Sequence, residues 1–254
     1  MKKCITILGS TGSVGKQTLE VIKNEPESFE VIALLMHSEY LDQKFGVGPH
    51  TISVPRLNPA LGAPIDNPPH PVSDEDFRKI VAVLRLAVPY TGIILTTRES
   101  VEIRNELFLH GVSQISAGSR TTPGGYEEKN EREQEHDLEQ FSLHDVRSMD
   151  KIIKEISGQG YIPSFCTACY RLGRTGQDFM DLAKPGKIQK FCKPNAMMTF
   201  KEYLRDFADQ DTKNTGEKCL QKHVAEFSQE YPELAEKLKE NLKRIENGEN
   251  DLYL

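Results

Sequence analysis

No apolar run in this chain reaches the roughly 18 residues that a bilayer-spanning helix needs, so a helical membrane protein is not expected. Basic residues are not in excess: 32 Lys and Arg stand against 38 Asp and Glu, giving a net charge of −6 and a sequence pI near 5.7. That balance leaves no electrostatic footprint for nucleic acid or for an anionic membrane surface. The five cysteines are an odd number, and the first residues do not read as a signal peptide. A secreted disulfide scaffold is therefore not expected, and a soluble, cytoplasmic protein in a reducing compartment is. No cysteine lies between Cys4 and Cys166, and no internal repeat is evident. At 254 residues the chain can bury one or two cores.

What is present is more pointed. Cys166, Cys169 and Cys192 form a C-x2-C-x22-C pattern. The first pair alone fits half a zinc knuckle, a redox dithiol or chance. The third Cys discriminates, because a structural zinc site asks for four protein ligands and the next His along is His223. Three thiolates instead suit a 4Fe-4S cube with one iron left open to an exogenous ligand. On spacing alone the cluster leads, with zinc and unliganded thiols still open. Cys4, in the apolar run C-I-T-I-L, reads as a small buried hydrophobe, and Cys219, in a polar helix-like stretch, as a surface thiol.

The first 35 residues have a different character. A short apolar strand at 4–8 leads into G-S-T-G-S-V-G at 9–15 and then into helical spacing of Val14, Leu19 and Ile22. Gly9, Gly12 and Gly15 would let backbone N–H groups at a helix N-terminus approach a phosphate, or would simply turn the chain.

Between 50 and 158 the pattern alternates strand and helix. Strands are expected at 50–55, 92–96 and 112–117. Helices are expected from the Ser73 cap to about Val88, over 99–109 and over 148–157. Such alternation builds a parallel sheet, whose chemistry sits at the C-terminal strand ends. Arg56, Arg98, Ser116, Ser119 and Arg120 would lie there, and a guanidinium beside Gly118 suits a carboxylate bidentately. Surface ion pairing is the bland reading of Arg56 and Arg98, and ordinary strand-end hydroxyls that of the two serines. The charge-rich stretch 126–140 reads as a solvated loop. Helices are expected at 199–208 and 232–245, the latter with Leu234, Leu238, Leu242 and Ile245 as a packing stripe.

Two family resemblances can be placed on these residues. The stretch I-T-I-L-G-S-T-G-S-V-G-K-Q-T-L-E-V-I, with F-E-V-I-A-L at 29–34, resembles the start of deoxyxylulose-phosphate reductoisomerase, an NADPH enzyme of isoprenoid synthesis. That resemblance implies a dinucleotide held at Thr11, Gly12, Ser13 and Val14, but nothing downstream reads like that family's metal or substrate motifs. From about residue 36 onward the chain resembles the C-terminal half of the HydG family of FeFe-hydrogenase maturases, radical-SAM tyrosine lyases related to ThiH. The segments L-L-M-H-S-E-Y-L-D-Q-K-F-G-V-G-P-H, G-V-S-Q-I-S-A-G-S-R-T, P-S-F-C-T-A-C-Y and F-C-K-P-N-A-M-M carry it. Residues 29–45 are long and free of Gly and Pro, so a helix is expected there rather than the reductoisomerase strand.

The HydG resemblance implies cleavage of tyrosine to p-cresol and dehydroglycine, the latter converted to CO and cyanide. It implies an auxiliary 4Fe-4S cluster on Cys166, Cys169 and Cys192, an extra iron for which His50 in G-P-H is a candidate ligand, and S-adenosylmethionine as co-substrate. Ser116, Ser119 and Arg120 would then face S-adenosylmethionine and tyrosine. The radical-initiating C-x3-C-x2-C loop is not in this sequence. The expectation is a chimera of α/β class: a Rossmann-like unit at 1–35, a partial (β/α) barrel of the biotin/thiamin-synthesis-associated type at 36–158, and a helical iron-sulfur domain at 159–254. Alternatives are an NADPH-binding reductoisomerase fragment and a non-catalytic iron-sulfur module whose barrel a partner chain completes.

Overall fold

The computed structural model describes residues 32–56, 58, 71–121 and 142–254. The glycine turn at 9–15, Cys4 and the charge-rich stretch 126–140 lie outside the described residues. The chain divides into two compact units, Met1–Val146 and Arg147–Leu254.

In the first unit, α1 (Ile32–Phe45) precedes β1 (Thr51–Ser53), α2 (Asp74–Ala87), β2 (Gly92–Leu95), α3 (Val101–Leu107) and β3 (Gln114–Ile115). The three strands are parallel in the order β1-β2-β3, with Thr51 opposite Gly92 and Ile94 opposite Gln114. Parallel pairing follows from the helices between strands, since only a long crossover returns the chain to the same end of a sheet. Local sequence sets the helix limits. Ser73 Oγ accepts from Asp76 N at 3.1 Å, and Asp74, Glu75 and Asp76 place negative charge on the positive end of the α2 dipole. Val88 ends α2 because Pro89 disfavours a helical residue before it. Phe77, Val81 and Leu84 put one face of α2 onto Ile52, Ile93 and Leu95 of the sheet, closing a core with Ile103, Leu107 and Val112. Gly92 sits close to its strand neighbours in β2: a Cβ there would lie 2.7 Å from Gln114 Nε2, at the tip of a flexible side chain, and 3.2 Å from Thr51 Cγ2.

The second unit is helical: α4 (Met149–Gly158), α5 (Ala168–Arg171), α6 (Gly176–Ala183), α7 (Gln189–Asp206), α8 (Gln210–Glu230) and α9 (Pro232–Glu246). Its core joins Ile153 of α4, Met197, Met198, Phe200, Tyr203 and Leu204 of α7, Leu220 and Phe227 of α8, and Leu238 and Ile245 of α9. Helix α4 packs on α8 within this helical unit, which begins at Arg147. Helix α7 starts ten residues before the expected Thr199 and contains Pro194. Pro194 has no N–H, so α7 forgoes the backbone bond that this position would make to Lys190 O. Helix α8 is almost polar in composition, yet Gly216 lets it approach α7 so closely that a Cβ would meet Leu204 Cδ2 at 2.5 Å. Cys219, on α8, is buried rather than on the surface, and its Sγ donates to Tyr161 O at 3.5 Å. A single cysteine on the inward side of a polar helix leaves too weak a pattern to reveal that orientation.

Candidate functional site

The three cysteines of the C-x2-C-x22-C pattern sit around the short helix α5 and at the start of the long helix α7 in the second unit. Cys166 precedes α5, Cys169 lies within it, and Cys192 occupies the first turn of α7. Cys166 and Cys169 are half-buried and Cys192 is exposed. Backbone bonds fix the loop that carries the pair: Phe165 N donates to Thr199 Oγ1 at 3.2 Å, Cys166 N to Ser164 Oγ at 3.3 Å, and Arg174 N to Cys169 O at 2.8 Å. Ala168 N points at Cys166 Sγ at 3.5 Å, a donor suited to a thiolate. Gly173, at φ 69°, turns the chain after α5 in a conformation that side chains disfavour.

Electrostatics tie the three together. Although the Cys192 surface is open, the surrounding protein is thick enough that desolvation pushes its thiol up to about 11, and the charges of Cys169 and Cys166 push the same way. A thiol disfavoured in this way is stabilised as a thiolate by a bound cation. Among the described residues, no group of three or more His, Cys, Asp or Glu side chains gathers where one metal ion would bind. One tetrahedral zinc holds its sulfurs at about 2.3 Å, hence within about 4 Å of one another. Thiolates bound to separate irons of a cube stand further apart than those on one zinc ion.

Two cavities flank the cysteines. One of about 420 Å³ is bordered by Phe165, Cys166, Arg171, Glu202, Tyr203 and Asp251. Phe165 stacks on Tyr203 at 5.3 Å, and Tyr203 OH donates to Asp150 Oδ1 at 2.9 Å. Burial, and then this bond to Asp150, raise the Tyr203 phenol well above its ordinary value. The chain end forms a rim: Arg171 pairs with Asp251 at 2.9 Å, Asp251 N donates to Glu202 at 2.8 Å, and Leu254 N donates to Asn195 Oδ1 at 2.7 Å. The second cavity, about 440 Å³, is bordered by Cys192, His223, Glu226 and Glu230, with His223 Nε2 held 2.8 Å from Gly160 O. Arg171, Asn195 and Glu202 gave no signal in the sequence, because their partners lie 49 to 80 positions away.

The strand-end residues belong to the first unit. Ser116 follows β3, with its N–H on Leu95 O at 3.0 Å, and Ser119 is half-buried while Arg120 is exposed. Arg56 is committed elsewhere: its guanidinium pairs with buried Glu99 and with Asp74, and lies 4.7 Å above the Phe77 ring. His50 is exposed immediately before β1, and its carbonyl accepts from Gly92 N at 3.1 Å. In a parallel sheet that is the opposite strand end from Ser116 and Arg120. Gly9, Thr11, Gly12, Ser13, Val14 and Gly15 lie outside the described residues.

Comparison with known proteins gives the class first. Residues 53–162 match the Biotin and Thiamin Synthesis associated domain, and residues 5–55 match 1-deoxy-D-xylulose 5-phosphate reductoisomerase. The chain is 32% identical over 144 residues to the 2-iminoacetate synthase of Escherichia coli K12, 56% of this chain and 36% of that one. The more particular likeness is to solved structures of HydG, a maturase of the FeFe-hydrogenase. One is 52% identical with a TM-score of 0.81, covering 89% of this chain and 47% of that one. The HydG of Carboxydothermus hydrogenoformans is 41% identical with a TM-score of 0.64, covering 85% of this chain and 43% of its own. The N-terminal likeness is short: the reductoisomerase of Clostridium acetobutylicum is 53% identical over 38 residues, 15% of this chain and 10% of the enzyme. The chain thus spans about a third of its 2-iminoacetate synthase relative and under half of HydG. NADPH finds no support in the described structure.

Proposed function

We propose that this chain is the C-terminal part of a HydG-like radical-SAM tyrosine lyase, a partial (β/α) barrel joined to an auxiliary iron-sulfur region. Cys166, Cys169 and Cys192 hold a 4Fe-4S cluster. The observation that supports this reading is the C-x2-C-x22-C set itself, with Cys166 and Cys169 half-buried before and within α5 and Cys192 in the first turn of α7. When bound, the cluster supplies one iron without a protein thiolate, open to an exogenous ligand. Ala168 N–H supports charge on Cys166. Ser116, Ser119 and Arg120 receive the carboxylate of an amino acid, tyrosine by likeness to the HydG family. The relatives' names, 2-iminoacetate synthase and maturase of the FeFe-hydrogenase, support a role in hydrogenase maturation, and an amino acid lyase that feeds CO and cyanide to that cofactor is part of the proposal. His50 as ligand of an additional iron is part of the proposal and is tested separately below.

Because the C-x3-C-x2-C loop is not in this sequence, the reduced chain by itself should release no 5′-deoxyadenosine from S-adenosylmethionine above a blank. That same gap favours a second reading, an iron-sulfur module whose barrel a partner completes. Anaerobic reconstitution with iron and sulfide tests the core of both. About four irons with a 4Fe-4S spectrum are expected from a three-thiolate site. Stoichiometric zinc without sulfide would overturn the cluster assignment.

A further inference from the structure

The loop from Ser116 to Arg120 is tied down by a buried ion pair. Arg104 on α3 and Asp145 are 1% and 0% exposed. One arm of the Arg104 guanidinium, Nη1, donates to Asp145 Oδ2, and the other, Nη2, donates to the backbone carbonyl of Ser116. Asp145 is itself docked: its N–H and that of His144 donate to Thr97 O at 3.1 and 3.0 Å. Ser142 O, in the same return segment, accepts from Asn58 Nδ2 at 2.9 Å, and that amide also donates to Arg98 O at 3.1 Å. One planar cation therefore joins α3, the residues after β3, and the segment 142–145 at the C-terminal end of β2.

Burying both charges is costly, and apolar residues of similar volume commonly serve stability as well or better. What a guanidinium adds is direction, because its rigid fork reaches a carboxylate and a carbonyl at fixed angles at once. The same loop is joined to β2 by Ser116 N–H, which donates to Leu95 O at 3.0 Å. Gly118 adopts φ 61° with open space where a Cβ would be, and Arg120 is exposed. We propose that Arg104, oriented by Asp145, is a positioning residue that sets the Ser116–Arg120 loop in its amino-acid-binding geometry. This rests on the reading of Ser116, Ser119 and Arg120 as carboxylate-binding residues.

The test uses the full chain with Arg104→Lys, which keeps the charge and loses the fork, and Asp145→Asn, which keeps the shape and loses the charge. Amide exchange is followed by mass spectrometry with and without L-tyrosine, and L-tyrosine affinity is measured by calorimetry. In both variants exchange at 116–121 rises about tenfold while α2 and β2 keep wild-type rates, and the dissociation constant for L-tyrosine rises by about the same factor. Unchanged loop exchange and affinity, or acceleration spread equally over α2 and β2, would overturn the proposal. If the wild-type loop gains no protection from millimolar L-tyrosine, the carboxylate-site reading fails. The exchange comparison then decides by itself whether Arg104 sets the loop.

Discussion

Replacing Gly216 by alanine sets two known effects against each other, and the structure decides the sign. In an exposed helix interior the change stabilises by about 1 kcal/mol, because glycine is the poorer helix former. Here the new methyl would stand 2.5 Å from Leu204 Cδ2, 2.9 Å from Phe200 Cζ and 3.0 Å from Leu204 Cδ1. Both neighbours are fully buried in the second core, so neither side chain has free space to move into. Overpacking of this kind costs about 1–3 kcal/mol, which exceeds the propensity gain. A net loss of about 1 kcal/mol is expected for Gly216→Ala, and a larger one for Gly216→Val, which adds two methyls and β-branching. Urea denaturation followed by far-UV circular dichroism reads it directly, the midpoint falling with an unchanged slope. If Gly216→Ala is as stable as the wild type or more so, then α7 and α8 do not pack as described. Cys192, three turns before Leu204 on α7, should keep its share of bound iron in Gly216→Ala, which separates this stability effect from loss of the site.

Cys192→Ala should lose most iron and sulfide after reconstitution, whereas Cys219→Ala, which removes a buried thiol bonded to Tyr161 O, should bind the wild-type amount; equal iron loss in the two would remove the distinction between ligand and core cysteine. His50→Ala should leave the cube spectrum intact and abolish only a high-spin ferrous signal in reduced, iron-supplemented protein, and retention of that signal would make His50 structural. Because the Tyr203 phenol is raised in the folded state, its contribution is complete below the unfolded value of about 10 and declines above it, as the unfolded chain ionises first. Stability should therefore drop from about pH 10 upward, and Tyr203→Phe should flatten that part of the profile in denaturant titrations.

Much of the first unit was legible. The helix α1, the Ser73 cap of α2 and the short strand expected at 92–96 are local signals. The stripe on α9 was legible for the same reason, with Leu238 and Ile245 buried in the core as its spacing implied. Helix α8 was harder, since its 21 residues are mostly polar and its burial depends on one glycine and a few inward side chains. The start of α7 was missed because Pro194 reads locally as a breaker and only its place near the helix end makes it tolerable.

By itself the sequence determined the α/β class, the cysteine spacing and the likeness to two families, because these depend on residue identity and short-range periodicity. Tertiary structure alone decided that Cys219 is buried, that Arg56 is consumed by Glu99 and Asp74, that α4 packs with the helical unit, and that Arg104 and Asp145 meet across 41 positions. Those outcomes turn on which side of an element faces a partner far along the chain, and no local pattern encodes the partner.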